Sequence, residues 1–159
     1  MTVAAVCSLG LILSCTAVPL DQLGDNWNVA SSPPMGWRSW NCFLENINSE
    51  NIKAQIESLT VPGPEGHSLL QYGFDRVGLD DGWQACGTGV NGTFHDAHGN
   101  PLTNKTRFPN LEELTSSGHS RKVKVDWYMN NCGCCERGLE PEGGHPVQDM
   151  AAAAGLCFD

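Results

Sequence analysis

With 159 residues the chain is long enough for one domain of ordinary size. A formal net charge of -9 and a pI near 4.8 set it against nucleic acid and anionic membranes, because like charges repel, and leave a neutral ligand compatible. Eight Cys are many for a reducing compartment, which points the chain toward an oxidising one.

The first residues agree with that. Val3 to Leu13 is an apolar run too short to span a bilayer, and Cys15-Thr16-Ala17 places small residues as a signal-peptidase site does. Residues 1–17 therefore read as a signal peptide, although they carry no Lys or Arg, and an N-terminal core element is the competing reading. Cleavage would remove Cys7 and Cys15 and send the chain into the secretory pathway, toward the outside of the cell, a lysosome or a vacuole, with no membrane attachment afterwards. The sequons Asn91-Gly92-Thr93 and Asn104-Lys105-Thr106 make Asn91 and Asn104 glycosylation candidates on such a route.

Residues 18–32 are polar and turn-rich and read as a lead-in segment. Pro33-Pro34 stops any helix, and Met35 to Trp40 follows as a short aromatic strand. Asn48 or Ser49 caps a helix whose buried stripe is Ile52, Ile56 and Leu59, with Glu50 in the first turn where it complements the dipole. Val61-Pro62-Gly63-Pro64 ends it, and a short apolar piece turns at Gly73 into a second strand. That strand, Arg76 to Leu79, runs into Asp80-Asp81-Gly82-Trp83.

Acids at the C-terminal end of a parallel strand sit where open-sheet and barrel enzymes place ligand-binding groups. Two adjacent carboxylates beside an indole suit a sugar: the acids accept bonds from neighbouring hydroxyls, and the aromatic face covers the C–H surface of the ring. A surface turn is the plain alternative, since Asp and Gly are common turn formers.

Thr88 to Asn100 reads as a Gly-, Asn- and Asp-rich excursion, a small hairpin on the side of the acids. Asn110 caps a second helix, and Val123, Val125, Trp127 and Met129 alternate as a third strand. A loop dense in Cys, Gly and Glu precedes a third helix from Pro146 to Ala154, and Leu156 to Asp159 is the start of a fourth strand. Strand and helix in regular alternation predict a parallel sheet with right-handed crossovers. Cys132, Cys134, Cys135 and His145 lack regular zinc-ligand spacing, so no metal is expected, and His95, His98 and His119 read as solvated.

Four strings in this order, Pro33-Pro34-Met35-Gly36-Trp37-Arg38-Ser39-Trp40-Asn41, Leu79 to Trp83, Gly99-Asn100-Pro101-Leu102 with Phe108-Pro109, and Trp127-Tyr128 with Asn130-Asn131-Cys132, resemble α-galactosidases of glycoside hydrolase family 27. The resemblance implies an α/β fold, a partial (β/α)₈ TIM barrel of about the first three to four βα units, over residues 33–159. It implies that Asp80 and Asp81 bind hydroxyls of a terminal galactose, that Trp40 packs on the sugar, that Tyr128 borders it and that Cys132 lies at the pocket rim. Trp37 and Trp83 are expected to serve packing.

The reaction implied is retaining hydrolysis of terminal α-galactose from oligosaccharides or glycoconjugates, with two carboxyl groups about 5 Å apart and no cofactor. The family nucleophile stands in a Lys-Phe-Asp or Lys-Tyr-Asp motif, which these 159 residues lack. Nucleophile and acid/base are thus expected beyond Asp159, leaving a sugar-holding half that is inactive and unstable alone. Gly82 stands where the family usually has Cys, and Cys42 with Cys86 is the expected disulfide. An α-N-acetylgalactosaminidase and a non-catalytic secreted galactose-binding module are the alternatives.

Overall fold

The computed structural model describes residues 33–129, 134 and 144–159. The signal and lead-in segments and Cys132 lie outside the described residues. Strands β1 (Gly36–Arg38), β2 (Arg76–Leu79) and β3 (Lys124–Trp127) form a parallel sheet in the order β1-β2-β3. The register aligns Arg38 with Gly78, and Leu79 with Trp127, so the strands end level with one another. Between and after them come α1 (Trp40–Phe43), α2 (Ser49–Thr60), α3 (Leu111–Ser120) and α4 (Pro146–Gly155).

Helix α2 forms for local reasons. Asn48 Oδ1 accepts the Asn51 N–H and Asn51 Oδ1 accepts the Asn48 N–H, which satisfies two orphan donors of the first turn. Ile52, Ile56 and Leu59 then fall on one face and join a core with Val77, Leu79, Leu111, Leu114, Val123 and Val125. Helix α3 starts the same way, on Asn110, whose side chain accepts the Glu113 N–H. It lies close on β3, because a Cβ on Gly118 would stand 2.5 Å from Val125 Cγ2 and 2.9 Å from the Val123 carbonyl oxygen.

Ile56 is fully buried where α2 meets this close approach. Ile56→Ala should cost about 2–5 kcal/mol, transfer plus cavity. The check is a lower urea midpoint at an unchanged denaturant slope.

Several sequence expectations change. Trp40 opens the short helix α1 and does not continue the strand, which ends at Arg38. Leu156 to Asp159 form no strand; they turn back along β3, where Asp159 donates its N–H to the Val125 carbonyl and accepts the Val125 N–H on Oδ2. Phe158 stacks on Trp127 at 4.8 Å between ring centroids. His95 is not solvated: it is 2% exposed, with Nε2 3.0 Å from Asp149 of α4. The cause is the excursion, which folds back through Leu102 N–H to Phe94 carbonyl and Asn104 N–H to Trp83 carbonyl bonds, pressing Phe94 onto Trp83 and turning His95 under toward α4. His119 is half-exposed and pairs with Asp159 at 2.8 Å, whereas His98 is exposed.

The expected Cys42–Cys86 disulfide is replaced by Cys86–Cys134. Cys42 sits exposed on α1, as a free thiol, while the Ala85 N–H to Leu102 carbonyl bond carries Cys86 into the excursion. That position puts Cys86 within bonding reach of Cys134, with 5.1 Å between their Cα atoms. No described helix is long and apolar enough to cross a membrane.

Candidate functional site

The C-terminal ends of the three strands are stitched together by backbone. Ser39, fully buried, donates its N–H to the Gly78 carbonyl and accepts the Asp80 N–H on Oγ at 2.9 Å. Tyr128 donates its N–H to the Leu79 carbonyl, and Trp83 Nε1 donates to the Tyr128 carbonyl at 2.8 Å. Trp83 is 1% exposed and packs on Phe94 and Trp127, so it supports the site from below. Trp37, half-buried, packs edge-on against Phe43. Both therefore serve packing.

An open cleft of about 380 Å³ lies over these strand ends, lined by Arg38, Trp40, Asn41, Asp80, Asp81 and Tyr128. Four of the residues singled out in the sequence, Trp40, Asp80, Asp81 and Tyr128, thus meet in one place. The cleft is of a size that holds a small ligand. Trp40 is 39% exposed, which leaves an indole surface free to cover an apolar ligand face.

The two acids are held differently. Asp80 accepts Arg38 Nε on Oδ2 at 3.1 Å and the Asp81 N–H on Oδ1. Asp81 is 3% exposed and accepts Gln84 Nε2 on Oδ1 at 2.6 Å, while Gln84 Oε1 accepts the Gly82 N–H. Its Oδ2 takes no hydrogen bond from the described residues. An ionised carboxylate has about four lone-pair sites, so both acids keep acceptor capacity for ligand hydroxyls.

Gly82 makes the turn possible. Its φ of +109° suits a residue without Cβ.

Arg38 and Gln84 were not singled out in the sequence. The clue to Gln84 is its place three residues beyond Asp81; nothing local marks Arg38, whose partner stands 42 residues away. Asn91 is exposed and Asn104 half-buried, with its Oδ1 accepting the Thr106 and Arg107 N–H groups. Asp96 lies outside the cleft as a turn carboxylate. The Asn100 backbone N–H, with help from the Asn100 amide and the His98 N–H, holds it below the ordinary carboxylate range. Cys134, weighed as a metal ligand, is committed to its disulfide.

No protein-family profile matches the chain. It is 28% identical over 162 residues to alpha-galactosidase 2 of Arabidopsis thaliana, covering 96% of this chain and 38% of that protein. It is 28% identical over 134 residues to the alpha-galactosidase of Cyamopsis tetragonoloba, covering 82% of this chain and 29% of that one. The chain thus spans well under half the length of these curated relatives. Among solved structures, alpha-galactosidase I from Mortierella vinacea superposes with a TM-score of 0.62 at 24% identity, over 84% of this chain and 31% of that one. That likeness is one of fold.

Proposed function

We propose, from this chain's homology to the α-galactosidases of glycoside hydrolase family 27, that the cleft binds the terminal galactose of an α-galactoside. The observation that carries the reading is the meeting of Trp40, Asp80, Asp81 and Tyr128 at the ends of three parallel strands. Asp80 and Asp81 accept protons of neighbouring hydroxyls, Trp40 covers the C–H face, and Tyr128 closes one side. The family resemblance alone suggests Cys132, which lies outside the described residues, for the rim of the same pocket.

In this reading residues 33–159 are the first three to four βα units of a (β/α)₈ barrel, whose ligands gather at the C-terminal ends of the strands. Residues 1–17 are a signal peptide and 18–32 a lead-in, and the protein is secreted or vacuolar, with Asn91 and Asn104 as glycan acceptors. The reaction of the whole enzyme is retaining hydrolysis of terminal α-galactose. A carboxylate nucleophile attacks the anomeric carbon, and a second carboxyl group about 5 Å away protonates the leaving oxygen, then activates water.

Asp80 and Asp81 are held by Arg38 and Gln84 as grips, and neither is assigned to bond cleavage. The 159 residues, carrying no Lys-Phe-Asp or Lys-Tyr-Asp motif, are expected to bind galactose without hydrolysing a chromogenic α-galactoside. Calorimetric titration with galactose and glucose, beside a release assay, checks both halves. Saturable galactose binding without turnover supports the reading, turnover by this chain overturns the division between grip and cleavage, and absence of binding overturns the site.

A further inference from the structure

We infer that Arg38 is a sugar-contacting residue that sets specificity, donating to the oxygens of the same hydroxyls whose protons Asp80 and Asp81 accept; this rests on the reading of the cleft as a galactose site. Arg38 is the cation among the cleft-lining residues, and its side chain is 50% exposed. It crosses the floor of the cleft. The backbone leaves from the end of β1, the stem passes over Gly78, Nε meets Asp80 Oδ2 at 3.1 Å, and the guanidinium carbon lies 5.7 Å from the centre of the Tyr128 ring.

Gly78 is what permits this path. A Cβ there would stand 3.1 Å from Arg38 Cγ and 3.2 Å from Nη1, so a larger residue would push the side chain off the strand it crosses.

Among the described residues Nε donates to the Asp80 carboxylate, and neither Nη group of this cleft-lining side chain donates a hydrogen bond. A hydroxyl gives one hydrogen bond and takes others, whereas carboxylates only accept and a guanidinium only donates. Two acids alone would satisfy the protons of a diol and leave its oxygens without donors. Arg38 supplies that missing half, in a planar fork suited to neighbouring oxygens. The ligand class is neutral: one guanidinium against two carboxylates leaves the lining at a formal -1, inside a chain of -9, which disfavours a uronic acid or sulfated sugar.

The test is titration of the full chain with methyl α-galactoside, its monodeoxy derivatives and methyl α-galacturonide, for the wild type, Arg38→Met, Arg38→Lys and Asp80→Asn. Arg38→Met should weaken the galactoside about tenfold, as loss of one charged hydrogen bond does, with Arg38→Lys in between. At least one monodeoxy derivative that binds weakly to the wild type should lose nothing further in Arg38→Met, a coupling that a residue acting only through structure would not give. If the wild type and Arg38→Met bind alike while Asp80→Asn does not bind, the role of Arg38 is overturned and the galactose site stands. That role is likewise overturned if every deoxy penalty persists undiminished in Arg38→Met, or if the galacturonide binds tighter than the galactoside. If Arg38→Met misfolds by circular dichroism, the deoxy comparison in Arg38→Lys decides. No binding by the wild type overturns both.

Discussion

Gly82→Ala is expected to dismantle the acid turn. The new methyl would lie 2.2 Å from the Glu45 carbonyl oxygen, 2.8 Å from its carbon and 3.0 Å from Glu45 Cα. All three are backbone atoms, so no side chain can swing aside, and Arg107 pins that carbonyl through a further hydrogen bond. The backbone itself, at φ +109°, already disfavours any residue with a Cβ. Strain and overpacking together should cost about 3 kcal/mol or more, a melting shift of roughly 6–12 °C for a domain of this size.

A control separates the two causes. Gly87 also has a positive φ, +77°, yet nothing lies within 4 Å of a Cβ there. Gly87→Ala should therefore cost only about 1 kcal/mol. Because the Gly82 N–H holds Gln84, and Gln84 holds Asp81, Gly82→Ala should also abolish galactose binding measured below its melting point, whereas Gly87→Ala should leave it intact. Equal melting shifts in the two variants would show that the Glu45 contact is relieved by a small backbone movement.

Asp81→Asn should weaken galactose binding by roughly 10- to 150-fold, the range of one charged hydrogen bond. The substitution is nearly isosteric, so the outcome turns on polarity. The new amide can rotate its oxygen toward Gln84 Nε2 and keep that bond, which leaves its NH₂ toward the cleft, where a hydroxyl proton must be accepted. Asp80→Asn should fall in the same range and also release Arg38, whose ion pair is partly exposed and contributes little to stability. Both variants should melt within about 1 kcal/mol of the wild type. Loss of binding together with loss of fold would recast the acids as structural.

Local chemistry is readable from the sequence. Asn48 and Asn110 stand out as caps, Ile52, Ile56 and Leu59 as a buried stripe, and Arg76 to Leu79 as the strand, because caps and periodicity are decided within one or two turns. The convergence of Trp40, Asp80, Asp81 and Tyr128 follows from placing strand ends side by side, once resemblance to a family supplies their order.

What escapes depends on approach between distant segments. The partner of Cys86 is 48 residues away, and Asp149, which buries His95, is 54 away. Trp40 escapes for another reason. Its helix is four residues long and has no side-chain cap, so neither signal that marks a helix is present.

The strand that carries the acids is the middle one of its sheet, bonded on both edges. Freeing all of its amides to solvent requires both neighbours to leave, so hydrogen exchange averaged over Val77, Gly78 and Leu79 should be slower than at Gly36 of the outer strand. The carboxylates are therefore rooted in the part of the sheet that fluctuates least. If the cleft is the sugar site proposed above, its ligand should meet a pair already posed, with little binding energy spent on assembling them.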